Sequence, residues 1–276
     1  MSLLQCLTSV GHQQLRLVKS SEKCFSHFTS KGRDICGVNR TKIRWKLGSD
    51  GGKIRNICKN IAKAYDEGNQ VVVVLSAQGD TTDHLIHKML EINASASPRE
   101  SDMLLSVGEQ ISISLAAMCM EGMGYSAISL TGWQAGIHTD SNHTEAVIYD
   151  IDKEKIANLL NHGKIVFVAG FQGVDDKGNI TTLGRGGSDT TAVSLAAWLD
   201  ANSCQIYTDV DGVYTEDPRK SKNAKKYETL TYDEMLLLID QGAQVLHKQS
   251  VVTAKQHNVE IEVLSSFHTI KGTVIK

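Results

Sequence analysis

The apolar run Ile165-Val-Phe-Val-Ala-Gly-Phe171, the loop Thr181-Thr-Leu-Gly-Arg-Gly-Gly-Ser-Asp-Thr-Thr-Ala192 and the helical pattern Ala192-Val-Ser-Leu-Ala-Ala-Trp-Leu199 decide how this chain folds. A continuous apolar run reads as a strand covered on both faces, as in a parallel sheet. A glycine-rich loop entering a helix gathers backbone N–H groups at the positive end of the helix dipole, which makes an anion site. Gly184, Gly186 and Gly187 permit positive φ and close backbone approach. Arg185 adds a planar fork that suits a carboxylate or a phosphate. With Ser188 and Asp189 beside it, the loop reads as a site and not only as a turn.

Working outward, Val71-Val-Val-Val-Leu75 is a second two-sided strand. Ahead of it, Ile43, Trp45 and Leu47 alternate with charged or small residues over 41–48, the pattern of a half-buried strand. Lys53 to Glu67 carries a helical period that stops at Gly68. Helices are expected over about 84–92, 99–120, 153–161, 232–238 and 251–256, the second with Met103, Leu104, Val107, Ile111 and Leu115 facing inward. Strands are expected at 127–130, 147–150, 205–210 and 260–264. This alternation predicts an α/β protein, a three-layer sandwich with helices on both faces of a mainly parallel central sheet. Ligands then sit beyond the carboxyl ends of the strands. The turns at 76–83, 131–140, 172–189 and 208–219 should therefore gather on one edge. No repeat or linker interrupts residues 42–276, which read as one domain.

Composition narrows the class. The chain has 276 residues, 41% hydrophobic and 22% charged, with a formal net charge of −2. That balance suits a soluble globular protein and gives no broad drive toward nucleic acid or an anionic membrane. No apolar run approaches the roughly 20 residues that span a bilayer. The six cysteines are scattered without a C-x-x-C pair, as expected of reduced thiols in a cytoplasmic protein. His84 and His87 are expected on an exposed helix face, and no metal site is assigned. Residues 1–41 form a poorly patterned extension, rich in Ser, Lys, Arg and His and poor in acids. An organellar transit peptide has that composition, and so does an unrelated extension.

No G-x-x-x-x-G-K-[ST] loop, dinucleotide fingerprint or G-x-S-x-G elbow is present. What the turns offer is anion handling by Lys46, the hydroxyls of 76–83, Arg185 with Ser188, and Arg219. Carboxylates interleave with them at Glu109, Asp189 and Asp209. Cationic groups beside carboxylates suit a zwitterionic amino acid together with a metal-bound nucleotide.

Five blocks carry a resemblance. Val71-Val-Val-Val-Leu-Ser-Ala77, Ser101-Asp-Met-Leu-Leu-Ser-Val-Gly-Glu-Gln110, Leu130-Thr-Gly-Trp-Gln-Ala-Gly136, Thr181–Ala192 and Tyr207-Thr-Asp-Val-Asp-Gly-Val-Tyr-Thr-Glu-Asp-Pro-Arg219 resemble the signatures of aspartokinases, in order and spacing. The resemblance covers about residues 42–276 and implies the amino-acid kinase, carbamate kinase-like, fold. It implies transfer of the ATP γ-phosphate to the β-carboxylate of L-aspartate, with Mg²⁺ held mainly by the nucleotide phosphates. By the family's motifs, Arg185 grips the α-carboxylate of aspartate while Glu109 and Asp189 face its ammonium, with Ser188 beside them. Ser76 and Thr82 line the aspartate and phosphate region. Thr208, Asp209, Tyr214 and Arg219 hold ATP, with Gly48 in the phosphate loop and Lys46 over the transferring phosphate. A homodimer, or association with a full-length aspartokinase, is the expected assembly.

The pattern departs from the family in three places. The family's opening Lys-Phe-Gly-Gly-Thr-Ser-Val-Gly becomes Lys46-Leu-Gly-Ser-Asp-Gly-Gly52, shorter by four residues and with Asp50 near the expected phosphates. A second reading follows from this loop: a catalytically impaired, nucleotide-binding or subunit-like remnant. The family's Val-Leu-His-Pro block reads Val245-Leu-His-Lys248. Typical aspartokinases also continue past the point matching Lys276 into two amino-acid-sensing domains, so feedback by lysine or threonine is expected to be absent here.

Overall fold

Val71, Val73 and Leu75 pack into one apolar cluster and Val72 and Val74 into another, all of them buried. The period of two along a strand puts these sets on opposite faces, so this run sits between two layers of helices. The structure is a computed structural model that describes residues 40–45, 51–218, 220–266 and 270–276. Lys46, Gly48 and Arg219, and nearly all of the 1–41 extension, lie outside the described residues.

In chain order the elements are β1 (Arg40–Trp45), α1 (Gly51–Asp66), β2 (Gln70–Leu75), α2 (Thr81–Ile92), α3 (Pro98–Leu105), α4 (Val107–Gly122), β3 (Ala127–Leu130), β4 (Ile137–Thr139), β5 (Ile148–Ile151) and α5 (Lys153–Asn161). They continue with β6 (Ile165–Ala169), β7 (Gln172–Val174), β8 (Ile180–Thr182), α6 (Gly187–Trp198), β9 (Ser203–Thr208), β10 (Thr229–Leu230), α7 (Tyr232–Asp240), α8 (Lys248–His257), β11 (Ile261–Ser265) and β12 (Thr273–Ile275). Among the described residues an eight-stranded sheet runs β10-β12-β11-β9-β1-β2-β6-β3. From β11 to β3 every neighbouring pair is parallel, while β12 turns back antiparallel on β11. The expected parallel α/β sandwich is thus the observed one. The chain lays β2, β3 and β6 to one side of β1, then β9 and β11 to the other. The order reverses at β1, and the ends of β2 and β9 flank the crevice such a reversal opens.

On one face α1 and α4 supply Ile54, Ile57, Ile61, Ile113, Ala116 and Met120 around Phe167. On the other, α5, α6 and α8 supply Ile156, Leu160, Val193, Leu195, Val251 and Ala254. A smaller sheet, β5-β4-β7-β8, forms from residues that sequence periodicity left largely as loop. Its three-residue strands are too short to show a period.

Two expectations are corrected. The helix expected over 99–120 breaks at Ser106, whose carbonyl accepts a hydrogen bond from Gln172 Nε2 at 2.8 Å. Its apolar residues also do not all face inward: Met103, Val107, Ile111 and Leu115 are 39–46% exposed. The buried face is Gly108, Glu109, Ser112, Ile113, Ala116, Ala117 and Met120. Small residues let the helix lie close on β3 and β6, and the larger aliphatics are left outside. The stretch Pro98–Gly122 has the length and apolar composition of a membrane span. Its break, its enclosed Asp102 and Glu109 and its packing on the sheet mark it as a core segment.

Candidate active site

β2 and β6 end side by side, with Gly170 N donating to Leu75 O at 3.0 Å. A Cβ on Gly170 would lie 2.6 Å from Ser188 Oγ and 3.0 Å from Val74 Cγ1, so glycine lets the first turn of α6 come down onto the strand ends. α6 begins at Gly187, earlier than the pattern from Ala192 suggested, so Ser188 and Asp189 are buried helical residues. Ser76, Gly170 and Ser188 thereby meet at one corner.

α4 closes the same corner. Ala77 N donates to Glu109 Oε1 at 3.0 Å, and a Cβ on Gly108 would stand 2.8 Å from Ala77 Cβ. Glu109 is only 4% exposed, and its Oε2 has no hydrogen-bond partner. Burial pushes the Glu109 carboxyl up to about 7, against the opposing pull of the Ala77 amide. An enclosed carboxylate oxygen without a donor is costly unless a cationic or donating group arrives to meet it. Thr82, half-buried in the first turn of α2, follows the same 76–80 turn.

The glycine loop is shaped by close contact. Gly184 and Gly186 both have φ +70. A Cβ at Gly186 would fall 2.2 Å from His247 Cβ, and one at Gly187 would fall 2.9 Å from Phe171 Cδ2. Arg185 is exposed between them and lines a cleft of about 530 Å³ with Glu145, Thr190, Ser194, Trp198 and His247. Ser188 packs on Gly170 at the ends of β2 and β6, Glu109 is tied to the turn after β2 through Ala77 N, and Arg185 lines a separate cleft on the outer side of its loop.

Beyond β1 lies the second half. Thr208 closes β9, buried, with its Oγ1 donating to Asp209 Oδ1 at 3.1 Å and its carbonyl accepting from Ser266 N at 2.8 Å. Asp209 is exposed. Tyr214 is half-buried and donates to Asp211 Oδ1 at 2.8 Å, while Lys226 Nζ reaches Asp211 Oδ2 at 3.3 Å. Burial opposes ionisation of Asp211, but these two partners outweigh it and hold its carboxyl below the ordinary value. Two strand spacings separate β9 from β2, roughly 10 Å. Gly170, the Ala77 amide, Asp211 and His247 complete the geometry without having been assigned roles from sequence. A glycine directly after a two-sided strand was the available signal for Gly170; the amide carries no side-chain signal at all.

Parallel strands ending in hydroxyls, a buried acid with one unpartnered oxygen and a glycine-led helix at one sheet edge make a polar α/β site suited to a charged ligand. The profile of the amino acid kinase family matches residues 46–265, and the chain belongs to that family. Within it the chain is similar to aspartokinases, 53% identical over 224 residues to the aspartokinase of Geobacillus stearothermophilus and to aspartokinase 2 of Bacillus subtilis. Each match covers 81% of this chain and 55% of the relative, so the chain spans about half the length of the curated relatives it matches. The aspartate kinase structure from Synechocystis superposes with TM-score 0.75 at 39% identity, over 87% of this chain and 40% of that one. E. coli aspartokinase III in complex with aspartate and ADP follows at TM-score 0.71 and 26% identity, over 86% and 64%. The UMP kinase of Bacillus anthracis, at 20% identity and TM-score 0.63, shares the fold alone.

Proposed function

We propose that this chain is an aspartokinase catalytic unit that transfers the γ-phosphate of ATP to the side-chain carboxylate of L-aspartate, giving 4-phospho-L-aspartate. That product enters lysine, threonine and methionine synthesis. The observation that carries the reading is the enclosed Glu109 Oε2, without a donor, at the strand-end corner that also holds Ser188. It is supported by the similarity to aspartokinases and by an aspartokinase structure that contains aspartate and ADP.

In this reading Glu109 and Asp189 take the ammonium of aspartate, Arg185 its α-carboxylate, and Ser76, Thr82 and Ser188 its surroundings. Thr208, Asp209, Tyr214 and Arg219 take the nucleotide, with Lys46 and Gly48 at the phosphates. The accepting carboxylate has a reference pKa of ~3.9 and is already ionised at pH 7, so it needs no general base. The protein's work is to hold two anions in line and neutralise charge as the phosphoryl group moves. Among the described residues no group of three or more His, Cys, Asp or Glu side chains could hold a metal. Mg²⁺ in this reading arrives bound to the nucleotide phosphates, since magnesium often keeps few protein ligands.

Purified protein given MgATP, L-aspartate and hydroxylamine should yield aspartyl hydroxamate, and Arg185→Ala should lower that rate by roughly 100-fold or more. Intact nucleotide binding without trapped product would instead favour the impaired reading of the 46–52 loop. A cytoplasmic setting and a homodimer go with the proposal. α4 leaves Val107, Ile111, Leu115 and Met118 on an exposed face, 40–63% accessible, the kind of apolar surface that marks protein association. Sedimentation should report a dimer that Leu115→Glu dissociates without lowering the melting temperature; a wild-type monomer would refute the dimer.

A further inference from the structure

Asp102, in α3, takes no part in the chemistry above, yet it is fully enclosed. Three donors converge on it. His143 Nδ1 lies 2.7 Å from Oδ2, Thr182 Oγ1 donates to Oδ1 at 2.6 Å, and Thr144 N donates to both oxygens at 3.1 Å. His143 donates to this carboxyl in the tautomer that carries its proton on Nδ1. The donors come from two segments that meet beside the glycine loop. Ala146 N bonds Thr182 O at 2.9 Å, which ties the 143–146 turn to the end of β8.

Thr144 has φ +72, a conformation that a β-branched residue adopts at a cost and keeps only where its surroundings over-determine it. Its carbonyl lies 3.1 Å from the position a Cβ on Gly184 would take. Gly184 opens the turn that Gly187 N closes by donating to Gly184 O at 3.1 Å, and Arg185 projects from that turn. Asp102 thus grips both walls of the turn, Thr144 on one side and Thr182, two residues upstream of Gly184, on the other.

We infer that Asp102 is a positioning residue that clamps Thr144 and Thr182, fixing the Gly184–Gly187 turn and the direction in which Arg185 leaves it. The inference rests on the reading of Arg185 as the group that holds the substrate's α-carboxylate. A buried acid that only stabilised the fold would weaken everything together. A clamp on the turn weakens aspartate and spares ATP.

The test compares wild type and Asp102→Asn, full chain, by hydrogen–deuterium exchange, thermal melting and steady-state kinetics. The amide replaces one accepting oxygen by a donor that faces donors. Exchange in peptides covering 143–147 and 183–187 should quicken roughly tenfold, with those from α1 and β2 unchanged. The KM for aspartate should rise roughly tenfold while that for MgATP stays within about twofold. Unchanged exchange at 183–187 would overturn the inference, and so would parallel rises in both KM values with a lowered melting temperature. If Asp102→Asn does not fold, Thr182→Val removes one donor only and must show the same split at smaller amplitude. Should wild type not phosphorylate aspartate, the proposed function fails, while the exchange comparison still decides the clamp.

Discussion

In the proposed site, Glu109 joins stability to binding through one carboxyl group. Its ordinary value is 4.5, and burial raises it to about 7. Between those values the folded chain holds a proton that the unfolded chain has released, so the stabilisation present below about 4.5 is lost as pH rises to about 7. The shift corresponds to on the order of 3 kcal/mol. Urea titrations at pH 5 and pH 8 should show the wild type less stable at the higher pH. Glu109→Gln should flatten that difference. A bound ammonium favours the ionised carboxylate, so aspartate binding should release a proton near pH 6, and the KM for aspartate should fall from pH 6 to pH 8. A pH-independent KM would separate Glu109 from the substrate amine. Cys58 is the contrasting case: burial and the neighbouring Cys119 push its thiol up, and its Sγ already donates to Ala116 O at 3.7 Å.

Among the elements, α6 depends most on what its neighbours leave room for. Gly186→Ala would set a methyl 2.2 Å from His247 Cβ at a φ of +70. It should lower the unfolding free energy by roughly 2–4 kcal/mol, measurable by denaturant titration. Gly178→Ala, with positive φ but nothing within 4 Å, should cost less than Gly186→Ala. The contrast shows what sequence could give. Val71–Leu75 and Ile165–Ala169 were legible because a strand covered on both faces leaves an unbroken apolar run. β4, β7 and β8 were not, since three residues hold no period. The face of α4 was misread because Glu109 and Ser112 point in while Val107 and Ile111 point out, the reverse of the usual amphipathic rule. The roles proposed for Ser188 and Asp189 rest on a family signature; the placement of Ser188 in a buried first helical turn depends on Gly170, eighteen residues upstream.

At the scale of the molecule, the core and the site occupy different parts of the sheet. Phe167 sits fully buried in the middle of β6 among α1 and α4 residues. Phe167→Ala should cost about 3–5 kcal/mol, a large share of the roughly 5–15 kcal/mol a domain commands. Activity at low temperature should survive it, since the groups proposed to react lie at the strand ends; loss of kcat with an unchanged melting curve would contradict that separation. The central place of β1 has a consequence in time. One of its edges is satisfied by β2, about thirty residues on, but the other waits for β9, where Thr41 pairs with Ser203. At the usual ribosomal pace of ~5–20 residues per second, synthesis of the intervening stretch takes roughly 10–30 s. Throughout that interval the nascent half-sheet carries an unfinished border, and such borders recruit other strands. The border is the segment Arg40-Thr-Lys-Ile-Arg-Trp45, with a cation at every second position. Read from the sequence alone, like charges at that spacing are expected to disfavour pairing with a second nascent copy.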